Sequence, residues 1–151
     1  MAHPDGKSHS GIVIQIGGAL VYFGSRKQKC VSKSPTEAEL VALSDELGFV
    51  ELFAEFLSFV TNSKTLKLVV HQDSTLVIMM VTEGGGATRT KHMRTRLHLV
   101  IEAVKEGHIE IKYRNTKEMK ADGLTKALGG AEFTDFRVKV LHLTDRVNQW
   151  T

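Results

Sequence analysis

The chain has 151 residues, of which 42% are hydrophobic, enough for one compact domain with an apolar core. A formal net charge of +3 does not by itself indicate a nucleic-acid partner, and a single cysteine excludes an internal disulfide. The sequence contains neither a membrane-spanning apolar run nor the apolar segment of a signal peptide. We therefore expect one domain over residues 1–151, intracellular and cytoplasmic, with no membrane partner.

The first part of the chain predicts a loop followed by a β-hairpin. Residues 1–10 are mostly polar and carry a Pro-Asp-Gly turn, which predicts an N-terminal loop. Residues 11–16 and 19–23 are rich in β-branched and apolar residues and are separated by Gly17-Gly18. The basic residues that follow, Lys27 and Lys29 among them, suit either a solvated strand end or a surface that faces phosphates.

A long helix is predicted to begin after Ser34. Ser34 suits the N-cap, Pro35 suits the first helical position, and Glu37 stands three residues after the serine, as in a capping box. Apolar residues then recur every three or four positions and form one stripe. The stripe consists of Leu40, Leu43, Leu47, Val50, Ala54 and Leu57.

Two glutamates in the first turns of this helix differ in direction. At about 100° per residue, Glu39 lies about 50° from the centre of the apolar stripe and Glu37 about 110° from it. Glu39 therefore leans toward the core and Glu37 toward water. Burying an unpaired carboxylate costs several kcal/mol, so Glu39 requires a partner, and a metal ion would serve.

A second carboxylate stands where a strand meets a helix. Residues 66–70 are apolar and predict a short strand ending at His71-Gln72-Asp73, and residues 74–81 predict a short helix. Ligands of α/β sheets bind at such carboxyl ends of strands. The simpler alternative is that Asp73 caps the helix, and this feature taken alone favours the cap.

Residues 87–106 predict another helix with basic residues at its start. The basic side chains are Arg89, Lys91, Arg94 and Arg96. A helix N-terminus prefers anions, so this arrangement suggests an external anion such as a phosphate backbone, although a solvated face also explains a run of charge.

The last part of the chain predicts a half-buried strand over residues 108–114, a short helix over residues 117–128 that carries Asp122, and a C-terminal helix over residues 131–150. The order of elements indicates an α/β fold with a mixed sheet and flanking helices. Glu39, Asp73 and Asp122 come from three different elements and are placed to meet. Acidic oxygens of this kind hold the divalent ions that hydrolyse phosphodiesters.

Four segments in this order resemble the ribonuclease H domain of copia-like LTR retrotransposon polyproteins. They are SRKQKCVSKSPTEAEL, LVVHQDST, TRTKHMRTRLH and IEIKYRNTKEMKADGLTK, and the similarity covers residues 8 to about 128. The resemblance implies a metal-dependent endonuclease that cleaves the RNA strand of an RNA/DNA hybrid during reverse transcription. By motif, its metal-binding carboxylates fall on Glu39, Asp73 and Asp122.

The resemblance also implies partners. The family uses Mg²⁺ or Mn²⁺ in a two-metal site, and its partners are the RNA/DNA hybrid and the reverse transcriptase domain of the same polyprotein, inside retrotransposon particles. The expected contacts to nucleic acid are Arg89, Lys91, Arg94 and Arg96, with Lys27 and Lys29 as weaker candidates.

One part of the family pattern has no counterpart in this sequence. The family's first catalytic aspartate lies on a first, central strand that precedes the segment matching HPDGKSHSG. We therefore expect a ribonuclease H-like sheet without its central strand, and impaired hydrolysis. The exposed sheet edge then requires a cover, and we favour a homodimer. The alternative function is a non-catalytic module that binds nucleic acid or a protein.

Overall fold

The computed structural model describes residues 4–62, 66, 68–84 and 91–141. Its strands are β1 (Lys7–Ile16), β2 (Ala19–Val31), β3 (Leu68–Gln72) and β4 (Ile109–Tyr113). Its α-helices are α1 (Pro35–Thr61), α2 (Thr75–Thr82), α3 (Lys91–Lys105) and α4 (Gly130–Leu141). Two short 3-10 helices, Thr116–Glu118 and Lys120–Leu124, lie between β4 and α4.

The predicted hairpin is confirmed and is longer than expected. β1 and β2 pair antiparallel, and Gly17 and Gly18 both have positive φ, 56° and 86°, as the tight turn between them requires. The predicted N-terminal loop is wrong for residues 7–10, which belong to β1. The reason is the length of β2: it runs to Val31, which is paired with Lys7.

Helix α1 begins at Pro35, directly after the predicted N-cap Ser34. The Ser34 hydroxyl accepts a hydrogen bond from the Glu37 amide at 3.2 Å, and Glu37 Oε2 accepts one from the Lys33 amide at 2.8 Å. The helix then runs for 27 residues to Thr61. Asn62 ends it in the left-handed conformation, at φ 51°.

The apolar core forms among α1, α2, α3 and the β3–β4 pair. Its buried members include Leu40 and Leu47 of α1, Val77 and Val81 of α2, Leu97, Val100 and Ile101 of α3, and Ile109 of β4. Burial along α1 is uneven, because its fully buried residues, Leu40, Val41, Glu46 and Leu47, all lie in the half that follows Ser34. In the other half, Phe59 is 86% exposed, and Leu52, Phe56 and Val60 are exposed as well.

The strands form two separate sheets. β1 pairs with β2 antiparallel, and β3 pairs with β4 parallel, from Leu68 opposite Ile109 to Gln72 opposite Tyr113. The α/β class is confirmed, and the antiparallel and parallel pairings expected of a mixed sheet are both present, but in two separate sheets. The sheet is divided because, in the portion of the chain that the structure covers, no strand joins β1 to β3.

The segment that carries Asp122 is also different from the prediction. Residues 117–128 do not form one helix but contribute to two 3-10 helices of three and five residues. Of the predicted C-terminal helix, residues up to Leu141 are helical, and residues 142–151 lie outside the described part. Among the helices of the described ranges, none is both long and apolar enough to cross a membrane.

Two close approaches hold the second 3-10 helix in place. A β-carbon at Gly11 of β1 would lie 2.6 Å from the Ala121 carbonyl oxygen, and one at Gly123 would lie 2.2 Å from the Phe136 ring of α4. The Ser25 hydroxyl of β2 also donates a hydrogen bond to the Leu124 carbonyl at 2.6 Å. Asp122 is therefore fixed between the hairpin and α4.

Replacing Gly11 with Ala tests this packing. The new methyl group cannot fit beside the Ala121 carbonyl, so we expect the free energy of unfolding to fall by about 1–3 kcal/mol, as for other overpacked sites. Chemical denaturation measures the change. Gly48→Ala is the matched control: Gly48 lies within α1 with open space around it, so alanine there raises stability by roughly 0.5–1 kcal/mol. Equal effects of the two substitutions would contradict the close approach.

Candidate active site

A groove of about 1010 Å³ lies between the two sheets. Residues 8–15 of β1 line one side, residues 68–73 line the other, and α1 contributes residues of its first half. The groove contains the three carboxylates singled out from the sequence, those of Glu39, Asp73 and Asp122. The fold therefore brings side chains from three distant segments into one cavity.

Glu39 is positioned by the junction of α1 with the hairpin. The Gln28 side chain of β2 is 4% exposed, and its Nε2 donates to the Ser10 hydroxyl at 3.0 Å and to the Ala38 carbonyl at 2.9 Å. Since Ala38 precedes Glu39, this amide fixes the turn of α1 that carries the glutamate. Glu39 lines the groove, whereas Glu37 is held by the Lys33 amide outside it.

Asp73 follows β3 and is positioned by Gln72. Gln72 is 5% exposed, and its Oε1 accepts hydrogen bonds from the amides of Asp73 at 2.9 Å and Ser74 at 3.3 Å. Its side chain also forms a hydrogen bond with the Glu39 carboxylate. With Oε1 occupied by two donors, the amide nitrogen is the group that faces Glu39. Gln72 thus connects the two carboxylates.

Neither Gln72 nor Gln28 was predicted from the sequence as part of the site. For Gln72 a signal existed, because the alternation of a strand places it on the same side as Leu68 and Val70, where an apolar residue would be expected. For Gln28 none existed, since its partners Ser10 and Ala38 are brought to it by the fold.

The simpler alternative for Asp73 is wrong. Ser74, not Asp73, is the N-cap of α2, and its hydroxyl accepts a hydrogen bond from the Val77 amide at 3.4 Å. The Asp73 carboxylate therefore has no capping role and lines the groove.

Asp122 lines the groove from the second 3-10 helix, and Lys126 neutralises it in part. Lys126 Nζ lies 2.6 Å from Asp122 Oδ2, with the two side chains 52% and 33% exposed. A pair this accessible to water is worth no more than about 1 kcal/mol. Asp122 can therefore exchange the lysine for another cation at small cost.

The charges in the groove act on Glu39. Its burial raises the pKa of Glu39, the negative charges of Asp73 and Asp122 raise it further, and the hydrogen bond from Gln72 lowers it. Three carboxylates near each other repel when all are ionised. A cation in the groove would relieve this repulsion.

Carboxylate oxygens are the ligands that Mg²⁺ and Mn²⁺ prefer, so the chemistry of the donors suits these ions. The spacing of the three carboxylates, however, does not suit such an ion. Within the ranges that the structure covers, no three His, Cys, Asp or Glu side chains are close enough together to hold a metal ion. The carboxylates share a groove without forming a ready-made site.

The basic residues proposed to contact nucleic acid fall into different surroundings. Lys91, Arg94 and Lys29 are exposed. Arg96 instead joins α3 to α1, donating to the Ser44 hydroxyl at 2.7 Å and pairing with Asp45. Lys27 pairs with Asp5 at 2.7 Å. Arg89 lies outside the described residues.

Comparison with known proteins finds relatives among transposon polyproteins. The chain is 30% identical over 130 residues to the retrovirus-related Pol polyprotein from transposon TNT 1-94 of Nicotiana tabacum, a match that covers 84% of this chain and 10% of the polyprotein. It is 25% and 24% identical over 133 residues to the retrovirus-related Pol polyproteins from transposons RE1 and RE2 of Arabidopsis thaliana, covering 88% of this chain and 9% of each polyprotein.

The chain thus spans about a tenth of the length of the curated relatives it matches. No protein-family profile matches it, and no solved structure does. Similarity to retrotransposon Pol polyproteins over most of the chain is confirmed. The assignment to their ribonuclease H part stays a prediction.

Replacing Glu39 with Gln tests the electrostatics of the groove. In the presence of EDTA we expect the variant to be more stable than the native chain at about pH 8, because it no longer buries a charge beside Asp73 and Asp122. A carboxyl whose pKa is raised by folding costs stability while ionised. The gain therefore shrinks as the pH falls through the folded pKa toward the unfolded value of about 4.3. Thermal unfolding of the variant and the native chain across this pH range measures the difference in stability.

Glu37→Gln is the matched control for this measurement. Glu37 lies two residues away in the same turn of α1, and the amide oxygen of Gln can still accept the Lys33 hydrogen bond. We expect its melting temperature at pH 8 to lie at or slightly below that of the native chain and not above it, because the first turn of a helix favours a negative charge. A Glu39→Gln variant less stable than the native chain at pH 8 would contradict the placement of Glu39.

Proposed function

We propose that this chain is a ribonuclease H-type domain of a retrotransposon Pol polyprotein, which hydrolyses the RNA strand of RNA/DNA hybrids and does so weakly in the form described. The convergence of Glu39, Asp73 and Asp122 on one groove carries the proposal. The similarity to Pol polyproteins and the order of the four sequence segments support it.

The roles of the residues follow from their positions. Gln28 and Gln72 fix the carboxylates of Glu39 and Asp73 at the groove, and Asp122 approaches from the second 3-10 helix. The carboxylate oxygens of Glu39, Asp73 and Asp122 would hold Mg²⁺ or Mn²⁺, an ion that would supply the charge to polarise a phosphate and acidify a water molecule. The raised pKa of Glu39 favours such a cation, since a positive charge offsets the cost of its ionised form.

Weak hydrolysis is expected because the carboxylates are not assembled into a metal site. The described residues provide no group of three ligands, and Lys126 occupies one oxygen of Asp122. Misplacement of a reacting group by about 1 Å can cost on the order of 100-fold in rate. The arrangement therefore supports binding of a cation more than efficient turnover.

The proposed substrate contacts are phosphates. Lys91 and Arg94 on α3 and Lys29 on β2 are exposed and can each reach a phosphate oxygen without breaking another interaction that holds the fold. Arg96 and Lys27 would first have to leave Asp45 and Asp5. Phosphate contacts carry no sequence preference, which suits an enzyme that acts on any hybrid. The reverse transcriptase domain of the same polyprotein is its proposed partner.

A second candidate is a non-catalytic module that binds nucleic acid or a protein. The lack of three metal ligands among the residues covered by the structure favours it. The two candidates share the groove and differ in whether an added metal ion produces cleavage.

A cleavage assay separates them. We expect slow hydrolysis of a labelled RNA/DNA hybrid that depends on added Mn²⁺ or Mg²⁺, and loss of this hydrolysis in Asp73→Asn, since the amide cannot hold a divalent ion as a carboxylate does. Gel analysis of the labelled RNA strand measures the rate, and circular dichroism checks that the variant is folded. Glu37→Gln is the control and keeps the native rate.

Two results would overturn the enzymatic proposal. Unchanged cleavage in Asp73→Asn would assign the activity to a contaminant or to other residues. Binding of the hybrid with no cleavage at any concentration of either metal would favour the non-catalytic module.

The salt dependence of hybrid binding tests the basic surface. Replacing Lys91 and Arg94 together with Ala removes two phosphate contacts, so the slope of log K against log salt becomes shallower by roughly 2. Fluorescence anisotropy with a labelled hybrid measures it. Replacing Lys105 and Lys139 with Ala, at exposed positions away from both the proposed surface and the groove, is the matched control and leaves the slope unchanged. Equal slopes for both double variants would show that Lys91 and Arg94 belong to a solvated face and do not contact phosphates.

A further inference from the structure

We propose that the second half of α1 is a docking surface for one helix of another polypeptide, an amphipathic helix whose apolar residues are flanked by lysine or arginine. The surface, which we call the distal stripe, consists of Gly48, Leu52, Phe56, Phe59 and Val60. None of these residues lines the groove, so this interaction is independent of the proposed hydrolysis.

The distal stripe is an exposed apolar ridge. At about 100° per residue, its members all lie within about 80° of Leu52, on one side of the helix. The exposed fractions are 63% for Leu52, 59% for Phe56, 86% for Phe59 and 61% for Val60. Four of the five members, beginning at Gly48, recur every four residues, which is the spacing of the ridges by which helices pack. A β-carbon at Gly48 would meet nothing within 4 Å, so a second helix can approach closely there.

The exposed area of the stripe is typical of a binding surface. A phenylalanine side chain presents about 200 Å² in full, so Phe56 and Phe59 together expose roughly 300 Å². With Leu52 and Val60 the apolar surface is on the order of 400–500 Å². Contiguous apolar patches of this size on a monomer are often functional. The stripe therefore indicates an interaction with a partner.

The partner has to satisfy its own backbone. A helix pairs its amide and carbonyl groups internally, and in the last turn of α1 the Asn62 amide donates to the carbonyls of Phe59 and Ser58. The distal stripe thus offers side chains only. An extended segment docked there would lose water from its backbone without gaining hydrogen bonds, whereas a helix brings its backbone already paired.

The charge beside the stripe is acidic. Residues 45–62 contain four acidic residues and no lysine or arginine, in a chain whose formal net charge is +3. Glu55 and Glu51 lie on the same flank of the stripe, about 60° and 100° from Leu52. Glu51 contacts His108 at 3.2 Å, whereas Glu55 is exposed and has no ion-pair partner within the described ranges. Lysine or arginine on the partner helix would complement this flank.

The same features disfavour other occupants. A second copy docked antiparallel would bring two acidic flanks together, with no basic residue in either segment to neutralise them. A stable interface of standard size also buries about 800 Å² per partner, more than the stripe offers. Anionic lipids attract basic segments, so a membrane surface does not suit an acidic flank. A single basic helix, bound transiently, suits both the area and the charge.

Peptide binding tests the chemistry of the partner. The probe is a fluorescein-labelled helical peptide with leucines every three or four residues and lysines beside them, and its control carries glutamate at every lysine position. In about 50 mM salt we expect the basic peptide to bind at least about tenfold more tightly by anisotropy, with the difference shrinking as salt is added, because salt screens charges. Hydrogen exchange of the complex should show new protection in residues 48–62.

Protein variants locate the peptide. Phe59→Ala removes an exposed ring of the stripe, and we expect it to weaken binding at least about tenfold, while Phe133→Ala, at an exposed position on α4, leaves binding unchanged. Glu55→Lys should lower the preference for the basic peptide at least about threefold. Glu102→Lys, at an exposed position on α3, changes the net charge equally and keeps the native preference.

Thermal unfolding checks that the variants are folded, and an unfolded Phe59→Ala leaves the decision to the two glutamate variants and the exchange data. Equal binding of the two peptides, no binding of the basic peptide at about 1 mM, or native binding by Phe59→Ala would each overturn the proposal. A dimer by light scattering that Phe59→Ala dissociates would assign the stripe to a second copy instead. Sedimentation with phosphatidylcholine and phosphatidylserine vesicles that Phe59→Ala abolishes would assign it to a membrane.

Discussion

The buried amide of Gln28 connects the parts of the structure on which the groove depends. It lies on β2, and its two hydrogen bonds reach Ser10 on β1 and the backbone of Ala38 in α1. A buried amide that loses its partners costs roughly 1–3 kcal/mol, so hairpin and helix are held at a fixed relation. Gln72 has the same role on the opposite side of the groove, where its side chain bonds to the Asp73 amide at the end of β3 and to Glu39. Glu39 is thereby held from two directions by uncharged groups.

Local chemistry explains which parts of this fold were predictable. The start of α1 and the turn of the hairpin depend on residues a few positions apart, Ser34 with Glu37 and Gly17 with Gly18, and both predictions were correct. The division of the sheet, the 3-10 helix around Asp122 and the bridge from Arg96 to α1 depend on contacts between distant segments. Periodicity carries no information about such contacts. Glu39 and Asp73 were singled out because their positions near element ends are local, whereas the amides of Gln28 and Gln72 beside them were missed.

The carboxylates of the groove lower the stability of the chain and favour the binding of a cation. Burial raises the pKa of Glu39, and the negative charges of Asp73 and Asp122 raise it further. The ionised carboxylates therefore cost stability in the isolated chain, and a bound cation would offset that cost. Burial of the core of α1, α2, α3 and the β3–β4 pair offsets these costs.

The uneven burial of α1 divides one continuous helix into two regions of different local stability. Its first half is clamped by Ser34, Gln28 and the core, while around Phe56 and Phe59 the side chains are largely exposed to water. Local opening requires little free energy where few apolar contacts are broken. The helix therefore frays from its C-terminal end, where proteases would first gain access, and the turns that carry Glu39 remain intact while it does so.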